Sequence, residues 1–481
     1  MPDPTRTGPA AKDDQRWPAL LIATLSSFLT PFMLSAVNIA LPAIGRHFGA
    51  DAVLLSWVAT AYLLAASVSL MPFGKLSDLH GRKRVFLVGM TVFTASSVLC
   101  GLAGSVEALI AFRVVQGVGI AMVFATGIAI LTSVTPPDER GRALGITVAA
   151  VYLGLACGPF AGGWLTEHLS WRGVFLANAP LGLGLVLVTL WKLKGEWAGA
   201  RGEPFDLVGT LVYAAALAAL MLGVTRLPAA GAALTAAAGV AGVGVFAWWE
   251  LRVAHPMFEV RLFTGHRVFA FSCLAALVHY SATFGVTFLM SLYLQYIKGL
   301  SPQEAGTVLI AQPVMMALFS PLAGRLSDRM EPRVLSSLGM AITAGALLML
   351  SRVGADTGMG FIILCLTVLG VGFGIFSSPN MNAIMSSVES QHYGVASGAV
   401  GTARLLGQML SLGVATLMFG LLLGRVQVTP EQHPAFIASV HYALLVFFGL
   451  CLTGIYFSLS RGQLRKEAGA RGQGAKGSSG R

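Results

Sequence analysis

The sequence predicts an all-α integral membrane protein of fourteen transmembrane helices, arranged as two six-helix halves with two further helices inserted between them. Three observations carry this. Of 481 residues, 55% are hydrophobic and only 11% are charged, with a mean hydropathy of +0.75, whereas an average soluble domain carries roughly 25% charged residues. Apolar runs of the length that crosses a bilayer as a helix, about 20 residues, recur along the chain. A charged loop motif that starts at Gly74 returns at Gly324. The runs are continuous rather than alternating, which excludes a barrel, and a helix satisfies its own backbone in lipid.

Taken in order, residues 1–17 form a short N-terminal tail. The N-terminal half, 18–191, contains apolar runs at 18–41, 53–73, 85–104, 107–131, 143–164 and 173–191. Two Ala- and Gly-rich runs, 207–225 and 229–249, make up the insert. The C-terminal half, 268–459, contains runs at 268–295, 303–323, 334–350, 358–378, 395–423 and 437–459. The remaining 460–481 are basic and Gly-rich and read as a disordered tail.

An even number of spans puts both termini on one side. Of the 32 Lys and Arg residues, 24 lie in the tails and in the loops after even-numbered spans, six lie in the opposite loops, and only Arg113 and Arg404 fall inside spans. This excess marks the cytoplasmic face, so both termini are expected in the cytoplasm and the protein in the cell membrane. The net charge of +11 is then mostly a topology signal. Its spread over many short loops argues against nucleic acid as a partner. No cleavable signal is expected, because the first run is too long and its tail mixes Asp3, Asp13 and Asp14 with basic residues. The five cysteines all fall inside spans without ligand spacing, so they read as packing residues rather than metal ligands or a disulfide framework.

The repeated loop reads "GKLSDLHGRKR" from Gly74 and "GRLSDRMEPRV" from Gly324. Gly74 and Gly324, and Asp78 and Asp328, stand in register. Paired halves of this kind are the pattern of secondary transporters that rock about a central site. Glycine permits a tight turn. Asp78 is placed to accept hydrogen bonds from a helix N-terminus or from Arg82 and Arg84, and such a cluster holds one conformation and releases it in another. A loop that only set topology would need neither the Gly nor the Asp.

Inside the spans, an Arg is costly and normally faces a cavity or a partner. Arg113 lies about six residues into its run, ~9 Å deep at 1.5 Å per residue, and Gln116 shares its helix face. With Asn38, His279 and Arg404 it is expected to line a cavity or serve coupling. His279 is the group near mid-span that titrates close to neutrality, although a lone interior His is more often structural. The plain alternatives for Arg113 are snorkelling and bracing of the bundle through backbone carbonyls and Gln116. In the fifth run, Gly154, Gly158, Gly162 and Gly163 recur at helix-face spacing and let another helix pack closely, while Pro159 is expected to kink or bend the helix.

Other function classes are poorly served. There is no H-E-x-x-H, no G-x-S-x-G and no pair of acids within the bilayer, so an enzyme is not expected. "GKLSD" lacks the rest of a phosphate-binding loop, so ATP is not expected and an ion gradient is. A membrane sensor would need an extramembrane domain that the chain lacks.

In this order and spacing the motifs resemble the major facilitator superfamily, specifically its fourteen-span drug:H+ antiporter branch (the EmrB/QacA type). The Gly74–Arg84 loop resembles the superfamily signature. "RVVQGVG" from Arg113 resembles the fourth-span motif, whose Arg is associated with proton coupling. "GLACGPFAGG" from Gly154 resembles the fifth-span antiporter motif. "WRGVFLANAPLG" and "FDLVG" resemble the starts of the sixth and seventh spans. "LYLQYIKGLSPQEAG" and "GVASGAVGTARLLGQ" resemble second-half segments. The resemblance implies the major facilitator fold, alternating access, and export of amphipathic small molecules or drugs by proton antiport. Its implied partners are membrane lipid, a small-molecule substrate and protons, with no cofactor or metal. One position departs from the branch. In "PFMLSAVNIALP", Met33 stands near where an Asp is usual, and all 21 Asp and Glu lie in tails, loops or span edges. Embedded acids anchor cationic drugs and carry protons, so the expectation moves toward neutral or anionic substrates. The alternatives are an exporter of an organic anion or lipid-like metabolite with atypical or no proton coupling, and a non-transporting sensor.

Overall fold

In the computed structural model of the protein, residues 9–136, 139–200, 202–327, 329–388, 393–424 and 426–462 are described. They form helices joined by short loops, with no strand among them. In chain order these are α1 (Pro9–Phe48), α2 (Ala52–His80), α3 (Arg82–Gly101), α4 (Val106–Val134), α5 (Arg140–Leu176), α6 (Asn178–Lys192), α7 (Leu207–Arg226), α8 (Ala232–Glu250), the short α9 (Arg261–Gly265), α10 (Arg267–Tyr296), α11 (Pro302–Leu309), α12 (Ala311–Ser327), α13 (Pro332–Leu350), α14 (Met359–Ser386), α15 (Tyr393–Met418), continued by a π turn at Phe419–Leu423, and α16 (His433–Ser460). The Ala- and Gly-rich insert forms the paired helices α7 and α8, packed on each other.

Thirteen stretches among the described residues are long and apolar enough to cross a membrane, rather than fourteen, because 143–192 form a single 50-residue stretch. At 1.5 Å per residue such a helix would run ~75 Å, against a hydrocarbon core of about 30 Å. It is not straight. Ser170 takes φ 67°, ψ 164° and breaks the helix just before Trp171. The sequence placed the irregularity at Pro159, yet helical dihedrals run through that residue. Proline fixes φ near the helical value, so the donor it removes and the crowding of its ring against the preceding turn bend a helix without leaving helical dihedrals, whereas a residue in the left-handed region redirects the chain.

The chain divides into two compact units. The first contains Met1–Met257, Thr287–Ile310 and Leu412–Ser439. Within it α1 packs along α5, α4 lies against both α2 and α3, and α11 lies on α5. At one end of this unit, segments from α10, α15 and the loop after it contact α1, α2 and the turn between them. Ser291 Oγ donates to Asn38 O at 2.8 Å, Gln295 Nε2 to Ile39 O at 3.0 Å, Thr416 Oγ1 to Ser56 Oγ at 2.7 Å, and Gln427 Nε2 to Gly49 O at 2.7 Å. The second unit contains Phe258–Val286, Ala311–Ser411 and Val440–Arg481, and in it α14 packs against α12 and α13.

Corresponding contacts accompany the two copies of the loop motif. A Cβ on Gly89 of α3 would lie 2.9 Å from Gly119 O of α4, and one on Gly339 of α13 would lie 2.7 Å from Gly372 O of α14. Ser77 Oγ donates to Gly74 O and Ser327 Oγ to Gly324 O, both at 2.7 Å. The loop motif is therefore accompanied by the same close helix pairing each time it occurs.

Candidate functional site

The first loop is built from the ends of α2 and α3. Gly74 and Asp78 lie inside α2, and the space beside Gly74 is open. Gly74 is therefore not the turn-former that its place at the head of the motif suggested. Gly81 makes the turn, at φ 115°, a conformation that side chains disfavour. α3 then begins Arg82–Lys83–Arg84, three cations at the helix end where the dipole favours anions, with no side-chain cap of its own. Asp78 Oδ1 accepts from Arg82 Nε at 2.9 Å, and the Arg82 Nη1 continues to Ala129 O at 3.0 Å and Ser133 Oγ at 2.6 Å on α4. Arg84 turns elsewhere. Its Nε lies 3.8 Å from Glu196 and its side chain is mostly exposed.

Glu196, which belongs to none of the motifs, sits directly on this helix start. Lys83 N donates to its Oε1 at 2.8 Å and Arg84 N to its Oε2 at 3.2 Å. The neighbouring backbone is held as well, with Arg82 N on Trp197 O at 2.8 Å and Ala200 N on Asp78 O at 3.0 Å. Lys75 Nζ donates to Glu203 Oε2 at 2.6 Å. This hydrogen bond and the Lys75 charge hold the Glu203 carboxyl below the ordinary carboxylate range, with His255 adding to the effect. In the second loop Gly324 lies in α12, against Ser378 Oγ; Asp328 lies outside the described residues.

Arg113 is completely enclosed by α2, α3, α4 and the end of α5. Its Nε donates to Val58 O at 2.9 Å and its Nη1 to Gln116 Oε1 at 2.5 Å; Gln116 Nε2 in turn donates to Ser97 Oγ at 2.7 Å. The guanidinium lies 4.0 Å over the Tyr62 ring and 6.0 Å from that of Phe175. Nη2 of Arg113, the Tyr62 hydroxyl and both amide atoms of Asn38 are buried without hydrogen-bond partners among the described residues. The sequence expected a cavity-lining cation. In this conformation Arg113, Gln116 and Asn38 are packed away instead, because the acceptors Val58 O and Gln116 and the Tyr62 face supply an internal seat. Met33, where a carboxylate was expected, is also buried, and Asn178 Nδ2 points at its sulfur from 2.9 Å.

The fifth-span glycines face α1 and α11. A Cβ on Gly158 would meet Ser35 Cβ at 2.6 Å, and one on Gly162 would meet Ala36 Cα at 2.6 Å; Gly154 abuts Phe28 O, and Gly163 abuts Pro302 O. Gly306 of α11 rests on the carbonyl of Pro159. Cys157 on the same helix is exposed, whereas Cys100, Cys273, Cys365 and Cys451 are buried.

In the second unit, His279 is buried against the rings of Phe373 and Phe376, at 4.9 and 4.0 Å, and neither ring nitrogen has a hydrogen-bond partner among the described residues. Arg404 is half-buried. Arg461, which the sequence placed at the head of the tail, is buried. It donates to Ser272 Oγ of α10 at 3.1 Å, Asn380 Oδ1 of α14 at 2.9 Å and Ser336 Oγ of α13 at 3.1 Å. Burial draws its guanidinium down to about 10, still charged at neutral pH.

The family description "Major Facilitator Superfamily" matches residues 23–412. The chain belongs to the Major Facilitator Superfamily. It is 29% identical over 458 residues to the riboflavin transporter RibZ of Clostridioides difficile (strain 630), covering 92% of this chain and 97% of that one. It is 33% identical over 407 residues to the tetracenomycin C resistance and export protein of Streptomyces glaucescens, covering 83% and 75%. It is 32% identical over 429 residues to the cephamycin export protein CmcT of Amycolatopsis lactamdurans, covering 86% and 87%. Among solved structures, the fold is similar to a bacterial homolog of the human lysosomal transporter Spinster in an inward-facing, unoccupied conformation, with a TM-score of 0.68 at 17% identity over 93% and 97% of the chains. Membership of the superfamily makes the protein a multi-pass membrane transporter and not an enzyme.

Proposed function

We propose that the protein is a secondary active exporter of amphipathic small molecules, working by proton antiport and alternating access in the fourteen-span drug:H+ antiporter branch. The broken stretch 143–192 then counts as two spans, giving two six-helix halves, 18–191 and 268–459, around the inserted pair, with both termini cytoplasmic. Relatives named for the export of tetracenomycin C and cephamycin support the direction and the kind of cargo. The observation that carries the substrate class is the seat of Arg113, a buried cation held by the neutral acceptors Val58 O and Gln116 Oε1 and by the Tyr62 ring face. Enclosed as it is, the guanidinium reaches no cargo; in the step of the cycle that opens this seat to the cavity it repels a cation and attracts an anion. Even at an effective dielectric of 20, charges 4 Å apart interact by about 4 kcal/mol. Neutral or anionic cargo is therefore favoured over lipophilic dications. The Asp78–Arg82–Ser133 chain between α2 and α4 gates the cytoplasmic side. The fifth-span glycine face on α1 and α11 seals the leak path while the closure at the outer end holds. Proton coupling falls to Arg113 with Gln116 and Asn38, to His279 or Arg404, or to the acids at the cytoplasmic edge.

A second reading, export of an organic anion with atypical or no proton coupling, is favoured by Met33 occupying the position of the branch's acid. One experiment separates the two. Purified protein in liposomes is given pH gradients of either sense with matched anionic, neutral and cationic fluorescent amphiphiles. Gradient-driven flux of neutral or anionic compounds supports the proposal. Flux of anions indifferent to the gradient supports the second reading. Preferred flux of cations defeats both.

A further inference from the structure

We propose that Glu196 is a positioning residue for transport: its carboxylate docks the 193–203 segment onto the Gly74–Arg84 loop and sets the orientation of the Asp78–Arg82 pair. The inference rests on the reading of that loop as a gate and adds a residue that the motif does not contain.

The physical need comes first. A helix leaves its first backbone N–H groups without partners, and three cations in the opening turn oppose the dipole. α3 begins in this way, and Gly81 before it offers no side chain. Glu196 supplies both missing elements from more than a hundred residues away, accepting from Lys83 N and Arg84 N while placing a negative charge among Arg82, Lys83 and Arg84. The fit is close. A Cβ on Gly81 would lie 2.6 Å from Glu196 Cγ, so the carboxylate occupies the space that the glycine vacates. The rest of the segment is laid along the same loop, through Lys83 Nζ on Leu193 O at 2.5 Å, Arg82 N on Trp197 O, Ala200 N on Asp78 O, and Lys75 on Glu203. Arg82 and Asp78 are thus fixed through their backbones by the segment and through their side chains by each other.

The segment also leads straight into the inserted helices. Asp206 caps α7 through Gly209 N at 2.8 Å and accepts from Trp249 Nε1 of α8 at 3.0 Å. Glu203 is shared by Lys75 and by His255, 3.5 Å away beyond α8. A displacement of the inserted pair therefore reaches the loop through the side-chain contacts of Asp206 and Glu203.

The test uses the full-length protein in liposomes, with hydrogen exchange read on the peptides covering 82–86 and 193–203 and initial flux read against substrate concentration. In Glu196→Ala, exchange in both peptides should rise and Vmax fall about tenfold, equivalent to 1.4 kcal/mol, with KM unchanged because no substrate contact is removed. Glu196→Asp should restore part of the flux and Glu196→Gln less, since Gln accepts a hydrogen bond without the charge. Asp78→Asn is measured beside them. If exchange rises in Glu196→Ala while Vmax stays at the wild-type value and Asp78→Asn stops flux, the positioning role is wrong and the gate stands. If neither exchange nor Vmax moves, docking through Glu196 is wrong. If Asp78→Asn transports at the wild-type rate, the gate reading falls and the proposal with it.

Discussion

Arg113 offers the sharpest prediction, because bracing and coupling give opposite balances between stability and flux. The substitution is Arg113→Met, which keeps length and apolar volume and removes the charge. Two hydrogen bonds from a charged donor, at 2.9 and 2.5 Å, contribute about 1.5–3 kcal/mol each. A desolvated cation over an aromatic face adds about 2 kcal/mol, for a gross sum of about 5–8 kcal/mol. Against this stands the effective cost of burying an ion, several kcal/mol, with hydrogen bonds to the neutral Val58 O and Gln116 Oε1 and, among the described residues, no partner for Nη2. The two nearly cancel, leaving a net loss on substitution of about 1–3 kcal/mol, chiefly from Gln116 Oε1 left unpaired. Arg113→Met should therefore purify in near wild-type yield, with Tm lower by a few degrees, and lose at least a hundredfold in flux, a barrier change of about 2.7 kcal/mol. Arg113→Lys keeps the charge but not the forked donor geometry and should recover part of the flux. Thermal unfolding in detergent and liposome flux per folded molecule are the two measurements. If folded yield collapses and the remaining molecules transport normally, Arg113 only braces the bundle.

Further outcomes follow from the loops and the charge pattern. Asp78→Asn should abolish or strongly slow flux without loss of insertion, and Asp328→Asn should act in the same direction more weakly, since Pro332 stands where the first loop has Arg82 and Glu331 precedes it; flux assays on both check this. Reporters fused at either terminus and in the 192–206 and 250–267 loops should be cytoplasmic, and one after Arg226 should be outside; an outside C-terminus would break the fourteen-span proposal. Glu203 has its carboxyl lowered in the folded state, so its contribution to docking is present above the ordinary carboxylate value near 4.5 and is lost only as pH falls below it. Hydrogen exchange of the 193–203 peptide, corrected for intrinsic rate, should stay flat from neutral pH down to about that value and rise below it, and Glu203→Gln should remove the rise.

The helices were legible because a bilayer leaves few choices. Apolar length and loop charge locate a span with little reference to its neighbours, and even the Ala- and Gly-rich pair at 207–225 and 229–249 forms the two expected helices. The repeat was legible for a related reason. Gly89 and Gly339 hold helix pairs together at distances no other residue allows, and the loop motif marks where each pair begins. Side-chain destinations were harder to read. Arg113 and Gln116 were paired correctly by their helical spacing, yet their enclosure depended on Val58 O and the Tyr62 ring, contributed by another helix. The place of a polar side chain inside a membrane protein is fixed by which acceptors neighbouring helices turn toward it, and linear spacing carries no record of that.

Glu196 and Arg461 make the same point from outside the spans. Arg461 directly follows a helix and Glu196 lies four residues beyond one, in segments that composition marks as tail and loop, and each solves a problem posed elsewhere in the chain. The cue for Glu196 lay in α3, whose opening Arg82–Lys83–Arg84 lacks both a cap and an acid and so requires an anion from another segment. The cue for Arg461 lay in Ser272, Ser336 and Asn380, polar residues on three different apolar helices, whose oxygens converge on one guanidinium. In both cases the signal was a local deficit rather than a motif: an unbalanced helix start, and acceptors with no donor in reach. In a bilayer such deficits are costly to leave open, so a search for the residue that closes each one identifies positioning groups that motif reading leaves out.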